Sequence, residues 1–239
     1  MTSRVCMWSG PRNVSTALMY SFAQRSDARV VDEPLYGHYL HVTGAEHPGR
    51  ETVLQTMDLD GRRVMHELAT GPLDRDVLFA KQMAHHWIEL EADLLRPFEH
   101  FLLIRDPREM LPSLAEVLHA VTLRDTGLPD QARLLECLLA EGKEPFCVDS
   151  RDLLSDPGRV LSGVCRRLGF EFEPCMLAWE PGPRPEDGVW AQWWYSNVHR
   201  SVGFQPWRPT GKVLDQDQEA LLGACLEIYG RLYEYRIRD

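Results

Sequence analysis

Arg4-Val-Cys-Met-Trp-Ser-Gly-Pro-Arg-Asn-Val-Ser-Thr-Ala-Leu-Met-Tyr-Ser-Phe-Ala-Gln24 reads as a strand, a tight loop and the start of a helix. The apolar run Val5 to Trp8 breaks at Ser9, Gly10 and Pro11, and the apolar positions that follow recur at helical spacing. Unpaired backbone N–H groups and the positive end of a helix dipole converge at such a junction, which suits it to an anion. Arg12 and the hydroxyls of Ser15 and Thr16 add donors that grip phosphate. The loop G-x-x-x-x-G-K-[ST] of many nucleotide-binding proteins is absent, because no Gly-Lys pair precedes Ser15. Taken alone, the stretch is either an anion site or an ordinary strand-to-helix turn with an exposed arginine.

Outward from this stretch, short strands alternate with helical patterns. Ala28 to Asp32 is a second strand and runs into Glu33-Pro34, so Glu33 is expected at or just past a strand end, because Pro34 stops regular pairing. Residues 43 to 73 are polar and rich in Gly and Pro, and read as loops with one or two short helices. Val77 to Ala80, Phe101 to Ile104 and Phe146 to Val148 complete five strands. A last helix over about residues 216 to 234 places Leu221, Leu222, Cys225, Ile228 and Leu232 on one face. The alternation predicts an α/β fold, a three-layer αβα arrangement with a mostly parallel central sheet and right-handed crossovers. No repeat or linker interrupts residues 1–239, so one domain is expected.

Composition narrows the function classes. A hydrophobic share of 44% and a charged share of 26% suit a globular protein with a sizeable core. No apolar run reaches the ~20 residues that span a bilayer, and the N-terminus lacks a secretory pattern, so the protein is expected in the cytoplasm with no membrane partner. The six cysteines, Cys6, Cys137, Cys147, Cys165, Cys175 and Cys225, form no C-x-x-C pair and read as free thiols. A formal net charge of −10 argues against a nucleic-acid partner, so any anionic ligand must be held by a local cluster.

A second informative stretch is Phe101-Leu-Leu-Ile-Arg-Asp-Pro-Arg-Glu-Met-Leu-Pro-Ser113. Asp106 suits a helix N-cap, Pro107 the first helical position, and Glu109 the third residue of a capping box. Arg105 then stands at a strand end, with Ser113 about two turns down the helix, where Pro112 disturbs the regular hydrogen bonding. The pair either holds a second phosphate or is a surface arginine on a capped helix. In a third stretch, Cys147 to Leu161, Asp156-Pro157 opens a helix that Gly169 closes, and buried Asp or Arg groups there brace loops against the sheet.

Together these stretches resemble the sulfotransferases that use 3′-phosphoadenosine 5′-phosphosulfate. That family's P-[KR]-S-G-T-[TS] loop is similar to Pro11-Arg12-Asn13-Val14-Ser15-Thr16. Its Arg, [ND]-P and a Ser eight residues after the Arg match Arg105, Asp106-Pro107 and Ser113. Its E-D-L, D-P and L-G pattern resembles Arg151-Asp152-Leu153 through Asp156-Pro157 to Leu168-Gly169. The resemblance covers roughly residues 4 to 175 and implies a P-loop NTPase-like fold. It further implies sulfuryl transfer to a small-molecule hydroxyl with no metal, and leaves a homodimer open. Gly10, Pro11, Arg12, Asn13, Val14, Ser15 and Thr16 would bind the 5′-phosphosulfate. Arg12 would also neutralise charge on the leaving oxygen, and Arg105 and Ser113 would bind the 3′-phosphate.

There are departures. Asn13-Val14 replaces Ser-Gly, and the K-x-H-x-P motif is missing, with Lys81 and His85 four apart. The late R-K-G-x-x-G-x-W segment survives only as Arg184-Pro-Glu-Asp-Gly-Val-Trp190, so Arg184 is carried over one residue out of register. Members place the catalytic base at a His after the third strand or a Glu after the second, which here are His85 or His86, and Glu33. The residues leave both open, and leave Glu33 an alternative salt bridge to Arg12. His38 and His41 lack a third metal ligand and read as a surface helix face. The aromatic segment 179–207 reads either as an acceptor pocket or as core. A magnesium-dependent P-loop kinase or hydrolase, and a non-catalytic nucleotide-binding relative, are the competing readings.

Overall fold

A computed structural model describes residues 2–209 and 211–238 of the chain. Strand β1 (Ser3–Ser9) leads into helix α1 (Ser15–Phe22), then β2 (Ala28–Asp32) and three helices, α2 (Tyr36–Thr43), α3 (Arg50–Thr56) and α4 (Gly61–Thr70). Strand β3 (Val77–Met83) and β4 (Glu99–Ile104) follow, then α5 (Pro107–Leu114), α6 (Leu128–Ala140) and β5 (Phe146–Asp149). The chain continues through α7 (Ser150–Ser155) and α8 (Pro157–Leu168), the short α9 (Ala191–Trp194) and α10 (Ser196–His199), and the long α11 (Gln216–Tyr233).

The five strands form one sheet in the order β2-β3-β1-β4-β5. Every pairing is parallel, where the sequence predicts only a mostly parallel sheet. Alternation along each strand sorts the side chains onto two buried faces. Cys6, Trp8, Ala80, Leu102, Ile104 and Cys147 pack under α4, α5, α6 and α11. Val5, Met7, Phe79, Phe101, Leu103 and Val148 pack under α1 and α8. The helices that follow β1 and β4 therefore leave on opposite faces, although the two strands are neighbours. That reversal opens a crevice at the C-terminal ends of the strands, where ligands of open α/β sheets bind.

Local chemistry explains several boundaries. Asp156 caps α8 by accepting the Arg159 N–H at 3.1 Å, and Gly169 ends it with φ 79°. In α11 a capping box joins Asp215 and Gln218, and Cys225 and Leu232 are buried against the sheet. The box expected at α5 gives way to a simple N-cap. Asp106 accepts the Arg108 N–H at 2.9 Å, but Glu109 turns away to Arg151 and Trp207. Pro112 lies inside α5 without ending it. Among the described residues no helix is long and apolar enough to cross a membrane.

Candidate active site

The loop after β1 is shaped by close packing. A Cβ on Gly10 would lie 3.1 Å from the Thr126 carbonyl and 3.3 Å from Gln131 Oε1, so glycine lets the chain pass under the start of α6. Arg12 then adopts a left-handed backbone with φ 56°. The Asn13 side chain is a brace: its Oδ1 accepts the Val14 N–H at 2.8 Å and its Nδ2 donates to the Leu103 carbonyl at 3.0 Å. Only its backbone is left for an anion, which narrows the role carried over from the resemblance. The N–H groups of Ser15, Thr16 and Ala17 belong to the first turn of α1, which has no internal partners for them, and all three residues line the cleft.

Beside this loop, at the end of β4, stands Arg105. Its guanidinium donates to the Arg12 carbonyl and lies 4.0 Å from Glu109. Burial lowers its pKa, and the neighbouring Glu109 opposes that shift. Arg12 Nε donates to Ser113 Oγ at 3.0 Å, and its other end lies 3.7 Å from Glu116. Arg12, Arg105 and Ser113 thus form one contiguous donor cluster between β1, β4 and α5. The behaviour of Glu109 has a consequence here. It accepts from Arg151 and from Trp207 Nε1, each at 2.9 Å, which ties the third motif and the segment after α10 to the back of the cluster.

On the other side of β1, β3 runs three residues further than its apolar pattern predicts. Lys81 is therefore inside the strand and only 1% exposed. Its Nζ donates to Asp32 at 2.8 Å, to Glu33 at 2.5 Å and to the Tyr195 hydroxyl at 2.5 Å. Tyr195 in turn donates to Asp32 and accepts from Trp190 Nε1 at 3.1 Å. Burial works against the Lys81 ammonium, but Asp32 and Glu33 outweigh it and hold its pKa well above the usual value. Burial raises the pKa of Glu33, with Lys81 opposing. Glu33 pairs with Lys81 and not with Arg12, and it too has a left-handed backbone, φ 42°.

Past Lys81 the wall becomes aromatic. His85 and His86 lie in a single 3₁₀ turn, Ala84–His86. His86 stacks on Tyr36 and Tyr39 with ring centroids 5.0 and 4.7 Å apart, and its buried Nδ1 has no partner. Burial disfavours the charged form of both imidazoles, pulling His85 down to about 4 and His86 well below its usual value. The aromatic segment divides between the two readings open to it. Trp179 is core, while Trp190, Trp194 and Tyr195 line the cleft. His38 is buried rather than on a surface: its Nδ1 accepts the Gly61 N–H and its Nε2 donates to Ile88. Arg184 does not line the cleft; its guanidinium stacks on Tyr20, 4.8 Å from the ring centre. Among the described residues no group of three or more His, Cys, Asp or Glu is arranged to hold a metal ion.

These parts share one cleft of about 980 Å³. Along the C-terminal edge of the sheet the order is Glu33 (β2), Lys81 (β3), the Gly10–Thr16 loop (β1) and Arg105 (β4). Anion donors thus occupy one end and a carboxylate with aromatic walls the other. Asp32, Lys81 and Tyr195 were not marked as site residues by the sequence. The signals that could have found the first two are the acidic pair Asp32-Glu33 and the lysine that follows the apolar run Val77 to Ala80; none marks Tyr195.

A family model described as "Sulfotransferase domain" matches residues 3–235. Branched-chain-amino-acid aminotransferase-like protein 2 of Arabidopsis thaliana is 38% identical over 229 residues, and Branched-chain-amino-acid aminotransferase-like protein 1 is 38% identical over 226. Each match takes in 94% of this chain and 40% of the relative, so the chain spans about two-fifths of the length of these curated relatives. Among solved structures, a sulfotransferase from Alicyclobacillus acidocaldarius superposes with a TM-score of 0.61 at 13% identity, covering 100% of this chain and 97% of that one. A sulfotransferase domain from the curacin biosynthetic pathway gives 0.54 at 16% identity, covering 100% and 99%. At such identities the likeness speaks to the fold, which is P-loop NTPase-like.

Proposed function

Because the chain belongs to the sulfotransferase domain family, we propose that its cleft moves a sulfuryl group from 3′-phosphoadenosine 5′-phosphosulfate to a hydroxyl of a small acceptor. The observation that carries this reading is the order of groups along the sheet edge, with Glu33 and the aromatic wall on one side of the β1 loop and Arg105 with Ser113 on the other. The part that the plant relatives share with this chain is the part the sulfotransferase domain matches.

The donor set suits a nucleotide with two separate phosphates. The first turn of α1 and the Ser15 and Thr16 hydroxyls offer short donors to the 5′ end, while Arg105, Ser113 and Arg12 offer charged donors to the 3′-phosphate. Arg12 bridges the two positions, because its backbone lies in the loop and its side chain reaches α5. Its charge then acts on the oxygen that leaves as the sulfur–oxygen bond breaks.

Glu33 is the base in this proposal. It lies next to the loop end of β3, and its raised pKa brings it closer to working pH than an exposed carboxylate. Lys81 opposes the effect of burial on the Glu33 charge and fixes its orientation. The acceptor oxygen attacks sulfur, the acceptor proton passes to the Glu33 carboxylate, and adenosine 3′,5′-bisphosphate is released. His85, made weakly basic by burial, shapes the acceptor wall, and His86 meets it edge-on, with ring centroids 4.5 Å apart. Incubation with the ³⁵S-labelled donor and a panel of phenols and alcohols tests the reading. It predicts labelled product in step with bisphosphate release. Donor that is bound by neither wild type nor any variant, with no acceptor-dependent release, would overturn it.

A further inference from the structure

Five arginine and lysine side chains line the cleft, namely Arg12, Lys81, Arg105, Arg124 and Arg133. Four are engaged: Arg12 with Ser113, Lys81 with Asp32 and Glu33, Arg105 with the Arg12 carbonyl, and Arg133 with Asp130 and the Trp87 carbonyl, each at 3.0 Å. Arg124 is the exception; among the described residues its guanidinium has no hydrogen-bond or ion-pair partner.

Its surroundings place it at the aromatic end. Arg124 acts electrostatically on Tyr39, His85 and Asp130, all of which line the same cleft. The nearby carboxylates are already occupied, Asp130 by Arg133 and Asp125 by the Thr122 N–H and hydroxyl at 2.8 and 2.6 Å. Glu46, on the loop between α2 and α3, also lines the cleft, and no ion pair joins it to Arg124. The backbone under Arg124 is held firmly. It starts a 3₁₀ turn whose Thr126 hydroxyl returns to the Leu123 carbonyl at 2.5 Å and which ends at Gly127, φ 69°. A guanidinium on such a platform, at the rim of an aromatic pocket, matches a planar anion.

We propose that the acceptor is a ring-bearing hydroxyl compound with a carboxylate, and that Arg124 reads the carboxylate while Tyr39, His85 and Trp194 flank the ring. The proposal rests on the sulfotransferase reading and gives that site its acceptor class.

The test is calorimetric titration of 4-hydroxyphenylacetate, and separately its methyl ester, into protein saturated with adenosine 3′,5′-bisphosphate. Wild type should bind the carboxylate about tenfold more tightly than the ester, as expected for a charge-assisted contact. Arg124→Ala should erase the difference, and Arg124→Lys should keep part of it, because a point charge replaces the fork. Equal affinity for the two probes, no saturable binding of either, or a carboxylate preference that survives Arg124→Ala would overturn the proposal. Loss of bisphosphate affinity in Arg124→Ala would overturn it too, by assigning the arginine to the donor. If wild type does not bind the bisphosphate, the sulfotransferase reading fails first and the acceptor class falls with it.

Discussion

Arg12 and Glu33 are two of the three non-glycine residues with positive φ among the described residues, the third being Glu89. Such conformations cost about 1–3 kcal/mol each and persist where the surroundings over-determine them. Here the surroundings are the ones named for binding and chemistry: Ser113 and Glu116 around Arg12, Lys81 and Tyr195 around Glu33. Replacing Glu33 by Gln should lower kcat by about 10²–10⁴-fold and leave bisphosphate affinity unchanged. A loss of that size in His85→Asn, with Glu33→Gln close to wild type, would move the base to His85. Arg105→Ala should weaken adenosine 3′,5′-bisphosphate binding by about 1.5–3 kcal/mol, read by titration. Lys81 is the residue the sequence concealed. A lysine after Val77 to Ala80 looks like the end of a strand, since buried lysines are rare unless paired. Its partners, Asp32, Glu33 and Tyr195, are remote in sequence. Lys81→Met would leave two buried carboxylates without their cation and should cost about 3–5 kcal/mol in urea unfolding.

At the scale of elements, the strand-loop-helix at residues 3–22 was legible because an apolar run, a Gly-Pro break and a helical period follow one another within a few residues. The capping of α5 and α8 was legible for the same local reason. Where tertiary contacts compete, the local reading gives way. Glu109 forgoes the capping box for Arg151 and Trp207, a choice visible only once the segment after α10 has folded back. Arg184 matched a motif out of register, and the structure stacks it on Tyr20 instead. The loop after β1 makes its own prediction. Gly10→Ala would push a methyl group against the Thr126 carbonyl and Gln131, at 3.1 and 3.3 Å. We expect a loss of about 1–3 kcal/mol in stability together with weakened bisphosphate binding, because the same displacement moves the loop N–H groups. Stability loss with full affinity would show that the loop adapts.

At the scale of the molecule, the chain carries a net charge of −10 yet gathers Arg12, Lys81, Arg105 and Arg124 on one side of the sheet. The cationic character of the cleft is therefore a matter of local arrangement and not of overall charge. Acid sensitivity is likewise set by internal packing. His100 is buried in β4, accepts from Trp8 Nε1 at 3.0 Å and donates to the Leu95 carbonyl at 2.8 Å. Burial pulls its pKa down to about 4, with the bond to Leu95 opposing. The unfolded chain takes up this proton near pH 6.5, the fold only near pH 4, so stability is full above the upper value and falls as pH drops between them. Over that window the loss from this residue is about 3 kcal/mol. Urea midpoints at about pH 7.5 and about pH 4.5 should differ less in His100→Gln than in wild type, and an unchanged difference would remove His100 from the account.

The central claim is that the cleft is built for a nucleotide carrying phosphates at both the 3′ and 5′ positions. Calorimetric titration with adenosine 3′,5′-bisphosphate, compared with ATP and magnesium, tests it most directly. The account predicts one site with a dissociation constant of about 1 μM or tighter for the bisphosphate and far weaker binding of ATP. Tighter binding of magnesium-ATP, or no binding of the bisphosphate, would contradict it.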